Sequence, residues 1–172
     1  MFSKLKPRLE PLPKGCFPNQ PHMIIATWFG SGRIRPAPGT MGSLAAIPLG
    51  IALQALYGIP ALLLGIAVAF AIGVISSNVF EEKSGEHDNS SIVIDEVVGM
   101  WIAAIPAGTT IWLWGVAFVL FRIFDAIKPW PISKLDREVE GGLGVMIDDV
   151  AAGFVAMCGT SMFAIPFLTT GL

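Results

Sequence analysis

Charged side chains are scarce in this sequence and absent from long parts of it. Asp, Glu, Lys and Arg make up 14% of the 172 residues, whereas ordinary soluble domains carry about 25%. The stretches 36–80, 97–121 and 150–172 contain none of them, and hydrophobic residues reach 53%. Because a charge is costly inside a bilayer, the three uncharged stretches are predicted to lie in lipid. A soluble all-helical protein with a large core is the alternative.

Cysteine and histidine are rare, and the net charge is small. Cys16 and Cys158 are far apart and lack metal-binding or redox-motif neighbours, so the sequence shows no disulfide framework. With only His22 and His87 beside many carboxylates, a hard, oxygen-seeking ion such as Mg²⁺ is favoured over zinc. The net charge is −2, whereas nucleic-acid-binding domains are typically strongly basic.

The first 21 residues lack the apolar core of a secretory signal. They contain four basic residues and five prolines, a composition typical of an extended and poorly ordered segment. Residues 1–21 are therefore predicted to be a flexible, basic, proline-rich leader. Residues 22–172 are predicted to form a single membrane domain.

Turn-forming residues divide the uncharged stretches into helices. The stretch 36–80 is too long for one span and is interrupted at residues 57–60, while Pro106-Ala107-Gly108 interrupts 97–121. The predicted helices cover about 43–57, 60–80, 91–105, 109–127 and 150–172. This pattern indicates an all-α, polytopic helical membrane protein, with about 4–5 membrane-associated helices arranged as hairpins.

The distribution of basic residues predicts the topology. Segments 1–35 and 122–149 hold ten of the eleven Lys and Arg residues, and basic residues near span ends favour the cytoplasm. Two hairpins would place these segments on the same side, whereas a single span over 97–121 would separate them. We therefore prefer two hairpins, which also bring the carboxylates to a common cytoplasmic-face active site.

A glycine-rich segment precedes the first predicted helix. Residues 30–43 read GSGRIRPAPGTMGS. Glycines let backbone N–H groups turn towards an anion, and a helix N-terminus adds a favourable dipole. Gly39, Thr40 and Ser43 are therefore candidates for binding phosphate, with a plain turn and helix cap as the alternative. The segment is not a nucleotide P-loop, because no Gly-Lys-Ser/Thr follows.

Two acidic residues interrupt an apolar run that reads IVIDEVVGMW at 92–101. Burying Asp95 and Glu96 unpaired would cost on the order of 2–3 kcal/mol each on insertion scales, so a metal ion or basic partner is expected beside them. Gly99, one helical turn after Asp95, leaves room for that partner. A solvated helix end is the alternative.

Basic and acidic residues meet again in FRIFDAIKPWP at 121–131. Arg122 and Asp125 share a helix face, and Pro129 is expected to end the helix with Lys128 at its mouth. The spacing predicts a basic and acidic site at the membrane interface. An Arg122–Asp125 ion pair, with Lys128 extended towards water, is the alternative. Arg137, further along, is another candidate for binding phosphate.

The last motif reads GGLGVMIDDVAAG at 141–153. A glycine-rich loop is predicted to lead into a helix opened by Asp148 and Asp149, whose carboxylates either ligate a metal or favour the helix N-terminus. Carboxylate-held Mg²⁺ beside Arg, Lys and a glycine-rich anion loop suits phosphoryl transfer.

The four motifs together resemble the phosphatidylglycerophosphatase A family, in order and at similar spacing over roughly residues 22–160. The resemblance implies an all-helical, Mg²⁺-dependent phosphatase of the bacterial inner membrane. It implies hydrolysis of a phospholipid substrate, phosphatidylglycerophosphate, to phosphatidylglycerol and phosphate. The sequence predicts no oligomeric state.

Each acidic and basic motif residue has an expected role. We expect the metal to be held by Asp95, Glu96, Asp148 and Asp149. The expected catalytic residues are Asp95, Arg122, Asp125, Lys128 and Asp149. Either a metal-bound water or a phospho-aspartyl intermediate is compatible with this set. A CDP-alcohol phosphotransferase is a rival, although its Asp-Gly-x2-Ala-Arg motif is missing. An ion-coupled transporter is another, without an internal repeat to support it.

Overall fold

The computed structural model describes residues 8–86, 89–130 and 141–170, with side chains to residue 165. Nearly all of its regular structure is helical, which confirms the predicted all-α class. The five α-helices are α1 (Pro21–Ala26), α2 (Pro38–Ser84), α3 (Ile94–Ala103), α4 (Ile111–Ile127) and α5 (Gly141–Thr170). Two short 3₁₀ turns cover Ser31–Arg33 and Ile105–Ala107, and strands β1 (Arg8–Leu9) and β2 (Ile34–Arg35) pair antiparallel.

The long helix α2 is broken at Gly58. This residue has φ 74° and ψ −170°, a conformation that glycine adopts far more readily than other residues. Residues 53 and 65 would be about 18 Å apart in a straight helix, yet the Cδ1 atom of Leu53 lies 3.0 Å from where a Cβ of Gly65 would sit. The first arm of α2 (38–57) therefore lies beside its second arm (59–84).

The second interruption falls where the prolines and glycines predicted it. Helix α3 ends at Ala103, Gly108 has φ 56°, and α4 begins at Ile111. The Gln54 side chain of α2 donates hydrogen bonds to the Ala104 and Ile105 carbonyls, at 3.4 and 3.2 Å. These bonds satisfy carbonyl groups that the end of a helix leaves without partners.

Close packing surrounds α3, which is buried along almost its whole length. The indole nitrogen of Trp101 donates a hydrogen bond to the Ala46 carbonyl at 2.9 Å, which ties α3 to the first arm. On the opposite side, a Cβ added to Gly153 of α5 would lie 2.6 Å from the Gly99 carbonyl oxygen. Helices α3 and α5 thus cross in backbone contact, which only small residues permit.

Two predicted helix boundaries are wrong. Helix α2 begins at Pro38, not near residue 43, and α5 begins at Gly141, not near residue 150. The predicted glycine-rich loop before Asp148 is therefore the first turn of α5. Its glycines serve close packing: Gly142 lies against the Val74 carbonyl, and its N–H donates to Asn78 Oδ1 at 2.6 Å.

Among the described residues, two helices are long and apolar enough to cross a membrane. They are Pro38–Ser84 and Gly141–Ile165. Helix α3, with ten residues, is only about 15 Å long and is shorter than a membrane span.

The described part of the predicted leader packs against the helical domain. Leu9 pairs with Ile34 in the two-stranded sheet, and Cys16 is buried. The carboxylate of Glu10 forms an ion pair with Arg35. Residues 8–20 therefore follow the surface of the domain and do not extend away from it.

Candidate active site

One end of the helical bundle contains a polar cavity of about 330 Å³. The starts of α2, α3 and α5 and the end of α4 converge there, so residues distant in sequence face a common space. The lining residues are Ala37, Pro38, Gly39, Thr40, Ser90, Ile92, Asp95, Glu96, Arg122, Asp125, Lys128, Gly144, Val145, Asp148 and Asp149.

Three carboxylates form the acidic centre of this cavity. Asp95 and Glu96 lie in the first turn of α3, and Asp149 lies in the third turn of α5. One carboxylate oxygen from each lies within 4.8 Å of the others. The backbone crossing of Gly99 with Gly153 explains this proximity, because each acid precedes its glycine by one helical turn.

These carboxylates are shielded from water to different degrees: Asp149 is buried, whereas Asp95 and Glu96 are partly buried. One oxygen of each, Asp95 Oδ1, Glu96 Oε2 and Asp149 Oδ2, is buried without a hydrogen bond. Burial raises the pKa of Asp95 well above its usual range, and the adjacent Glu96 carboxylate raises it further. Burial also raises the pKa of Glu96 to about 8. A partly buried, all-oxygen donor set of this kind fits a hard divalent cation such as Mg²⁺.

Arg122 links the acidic centre to the end of α4. Its guanidinium forms an ion pair with Asp125 at 2.7 Å and approaches the Glu96 carboxylate at 3.9 Å. Asp125 thus orients the arginine through an i,i+3 ion pair, the contact given above as the alternative for these two residues. A planar guanidinium held this way can bind phosphate oxygens in pairs.

Lys128 and Asp148 form a second ion pair across the cavity, with Nζ and Oδ2 separated by 2.6 Å. Lys128 caps the end of α4, one residue after Ile127, and has φ 44°, a left-handed conformation that non-glycine residues adopt uncommonly. The two neighbouring aspartates of α5 therefore differ: Asp149 joins the three-carboxylate centre, whereas Asp148 contacts Lys128.

The start of α2 closes the cavity beside Glu96 and Arg122. A Cβ at Gly39 would collide with the Glu96 carboxylate and lie 3.1 Å from both terminal nitrogens of Arg122. The absence of a side chain at Gly39 therefore leaves the first turn of a helix facing the charged groups, where its dipole favours an anion.

The predicted phosphate-binding residues are not all brought together. Gly39 and Thr40 line the cavity, whereas the Ser43 hydroxyl is fully buried and donates to the Gly39 carbonyl at 2.8 Å. Arg137 lies outside the described residues. The lining also includes Ser90, which the sequence motifs did not identify, because nothing in its sequence context separates it from an ordinary loop serine.

Comparison with known proteins gives a consistent result. Residues 24–164 match the family model described as Phosphatidylglycerophosphatase A. The chain is 45% identical over 150 residues to "Phosphatidylglycerophosphatase A" of Haemophilus influenzae, covering 86% of this chain and 91% of that protein. The Escherichia coli protein of the same name is 45% identical over 143 residues, 80% of each chain.

A further relative carries a different name. The "Putative phosphatidylinositol-3-phosphatase" of Bacteroides thetaiotaomicron is 45% identical over 140 residues, covering 76% of this chain and 86% of that protein. No solved structure matches the chain significantly. All three relatives are named as phosphatases of phospholipids.

The helices, the charged cavity and the relatives together define a helical phosphoric monoester hydrolase. The chain belongs to the phosphatidylglycerophosphatase A family, as the four sequence motifs predicted.

Proposed function

We propose that this protein hydrolyses phosphatidylglycerophosphate to phosphatidylglycerol and inorganic phosphate. The observation that carries the proposal is the pairing of three carboxylates with Arg122 and Lys128 in a cavity of about 330 Å³. Acids alone would repel a phosphate dianion, and basic groups alone would bind it without activating a nucleophile. Both kinds of group together suit phosphoryl transfer.

The proposed cofactor is Mg²⁺, held by Asp95, Glu96 and Asp149. The support is the fit of the buried, unpartnered carboxylate oxygens to a hard cation. When bound, such an ion supplies charge neutralisation for the phosphomonoester and lowers the pKa of a bound water. Asp148, placed among the ligands on sequence grounds, is assigned instead to orienting Lys128, because the two are 2.6 Å apart.

The remaining cavity residues act on the phosphoryl group. Arg122, oriented by Asp125, and Lys128, oriented by Asp148, stabilise the charge that grows on the phosphoryl oxygens. The first turn of α2 at Gly39 and Thr40 adds the favourable dipole of a helix N-terminus. Each role uses a side chain or backbone segment that lines the cavity.

A carboxylate of the acidic centre, Asp95 or Asp149, accepts the proton of the attacking water in the direct route. In the alternative route the same carboxylate attacks phosphorus and forms a phospho-aspartyl intermediate. Rapid quenching with labelled substrate distinguishes them. We expect no label on the protein, and trapped label would replace the direct route with the covalent one.

The proposed setting is the bacterial inner membrane, crossed several times, with the cavity facing the cytoplasm. The arms 38–57 and 59–84 are about 30 and 39 Å long, enough to cross a hydrocarbon core of about 30 Å. Three of the four ends that converge on the cavity, the starts of α2 and α5 and the end of α4, adjoin or lie within the basic segments 1–35 and 122–149, which favour the cytoplasm. Helix α3 enters only part of the way, and α4 returns the chain to the cavity end.

The substrate is tested by direct comparison of lipids. Phosphate release is measured in detergent micelles with phosphatidylglycerophosphate and, separately, with phosphatidylinositol 3-phosphate, which the name of the Bacteroides relative suggests. We expect kcat/KM to be higher for phosphatidylglycerophosphate. A higher value for the inositol lipid would retain the lipid phosphatase class and overturn the substrate. No release from either lipid by folded protein would overturn both.

A further inference from the structure

The turn between α1 and β2, residues 27–33, exposes an aromatic side chain. Trp28 and Phe29 have φ angles of 44° and 57°, a left-handed conformation uncommon outside glycine. The Trp28 ring packs edge-on against Trp101 with ring centroids 5.7 Å apart, whereas the Phe29 side chain is 76% exposed. The two rings also contact each other edge-on, with centroids 5.2 Å apart, so Trp28 anchors the exposed Phe29 ring to the bundle.

This turn begins at the cavity end of the bundle and extends along α3 towards the other end. Its beginning is level with the start of α3, because the Val93 N–H donates to the Ala26 carbonyl at 2.8 Å. Trp28 then contacts Trp101, which lies about 10 Å further along α3 and bonds to Ala46 in the first arm of α2. Trp28 therefore packs against the same tryptophan that is tied to the first arm, and Phe29 follows it in the turn.

The N–H groups of the turn are all satisfied internally. Each N–H group of residues 27–33 donates to a carbonyl oxygen of residues 23–30, at distances of 2.8–3.2 Å. The Thr27 hydroxyl donates to the Met23 carbonyl at 2.7 Å, and the Ser31 hydroxyl donates to the Thr27 carbonyl at 3.3 Å. Because an unpaired backbone polar group is costly in a bilayer, these internal bonds lower the cost of placing the turn at the membrane.

A groove beside Phe29 has the chemistry of a phospholipid site. It has a volume of about 280 Å³ and is lined by Pro18, Ile24, Thr27, Phe29, Gly30 and Arg33. The Nε of Arg33 donates to the Glu10 carbonyl at 3.0 Å, which holds the guanidinium in place. Apolar walls with a fixed cation match an acyl chain joined to an anionic phosphate.

We propose that residues 27–33 enter the bilayer from the cavity end and that Phe29 contacts phospholipid acyl chains. The occupant of the groove is a bilayer phospholipid, since the groove combines apolar walls and the exposed Phe29 ring with a guanidinium held in place. This inference rests on the proposed membrane arrangement. It adds a surface that anchors the cavity at the depth of lipid phosphates.

The test measures the depth of position 29 in the full-length protein. Phe29→Cys is made in a Cys16→Ala, Cys158→Ala background, labelled with a nitroxide and reconstituted into vesicles containing anionic phospholipid. Power-saturation EPR then compares its accessibility to oxygen with that to a water-soluble nickel chelate. Leu56→Cys on the first arm, 71% exposed, is the lipid reference, and the exposed loop variant Glu86→Cys is the aqueous reference.

We expect label 29 to favour oxygen over the chelate, as label 56 does. Chelate accessibility equal to that of label 86, with label 56 still in lipid, would overturn the insertion of this turn alone. An aqueous reading at position 56 as well would overturn the membrane arrangement and this inference with it. Dipolar broadening between labels at position 29 would indicate a second copy of the chain on the groove and overturn the lipid occupant.

A second variant guards against misfolding of the labelled protein. Phe29→Trp keeps an aromatic side chain at the position, and its added emission relative to the parent is compared in vesicles with and without brominated acyl chains. We expect the added emission to be quenched by the brominated lipid. Unquenched added emission would contradict the inference.

Discussion

The crossing of α3 and α5 predicts a large effect from one added methyl group at Gly153. A Cβ there would lie 2.6, 3.1 and 3.2 Å from the oxygen, Cα and carbonyl carbon of Gly99. All three are backbone atoms, so no side-chain rotation can relieve the clash. Close C···O contacts in proteins are about 3.3–3.6 Å, so Gly153→Ala must separate the helices by about 0.7 Å.

Two magnitudes follow from that displacement. Overpacking of a well-packed core typically costs about 1–3 kcal/mol, so the free energy of unfolding should fall by that amount. Because Asp95 and Asp149 each lie one turn from the crossing, the same displacement moves their carboxylates apart. A misplacement of about 1 Å in an active site can lower the rate by about 100-fold, so we expect a loss of about 10- to 100-fold in phosphate release.

The assay pairs thermal unfolding in detergent with phosphate release, and the chain offers a matched control. A Cβ added to Gly115 on α4 would meet nothing within 4 Å, so Gly115→Ala should be neutral or stabilising by about 0.5–1 kcal/mol. Its activity should equal that of the parent. If Gly153→Ala behaves like Gly115→Ala in both measurements, the backbone crossing does not position the acids and the reasoning is refuted.

Three further predictions concern the cavity and its support. Asp149→Asn should raise the Mg²⁺ concentration needed for half-maximal phosphate release, because Asp149 belongs to the three-carboxylate centre. Asp148→Asn should lower the rate with little change in that concentration, because Asp148 contacts Lys128 instead. The same Mg²⁺ titration curve for both variants would contradict this division of roles. Arg122→Ala should lower kcat by about 100- to 1,000-fold, as for other donors to developing charge, with parental activity as the contrary result. Trp101→Phe should reduce the free energy of unfolding by about 1 kcal/mol in detergent melts, because phenylalanine cannot donate the hydrogen bond to the Ala46 carbonyl. An unchanged melt would show that this bond does not stabilise the fold.

The helical class and the two chain breaks were predictable because both depend on local chemistry. Gly58 followed closely by Pro60, and Pro106 followed by Gly108, each combine a residue that favours left-handed backbone with one that lacks a backbone donor, which makes a break favourable. The predicted starts of α2 and α5 are wrong because they depend on contacts between distant residues. The intrinsic preference of Gly141, Gly142 and Gly144 predicts a loop, whereas packing against Val74 and Asn78 keeps Gly142 helical. Tertiary contacts override propensity in such cases.

Most of the charged residues that line the cavity were predictable from the sequence, since buried acids and interfacial basic residues are costly without partners. Which acid pairs with which basic residue was not predictable. Asp148 and Asp149 are adjacent in sequence, and only the rotation of about 100° per helical residue sends one to Lys128 and the other to Asp95. The prediction that Ser43 binds phosphate fails for a similar reason. Because α2 starts earlier than predicted, the Ser43 hydroxyl lies within the helix and donates to the Gly39 carbonyl.

The most direct test of the account is phosphate release from phosphatidylglycerophosphate in micelles, with Mg²⁺ or with EDTA, by the parent protein and by Asp95→Asn. We predict release by the parent only when Mg²⁺ is present. We predict a loss of more than about 100-fold for the variant, since removing even an outer partner of a metal ligand costs about 10- to 100-fold. Undiminished release in EDTA, or parental activity of folded Asp95→Asn, would contradict a carboxylate-held cation as the centre of the site.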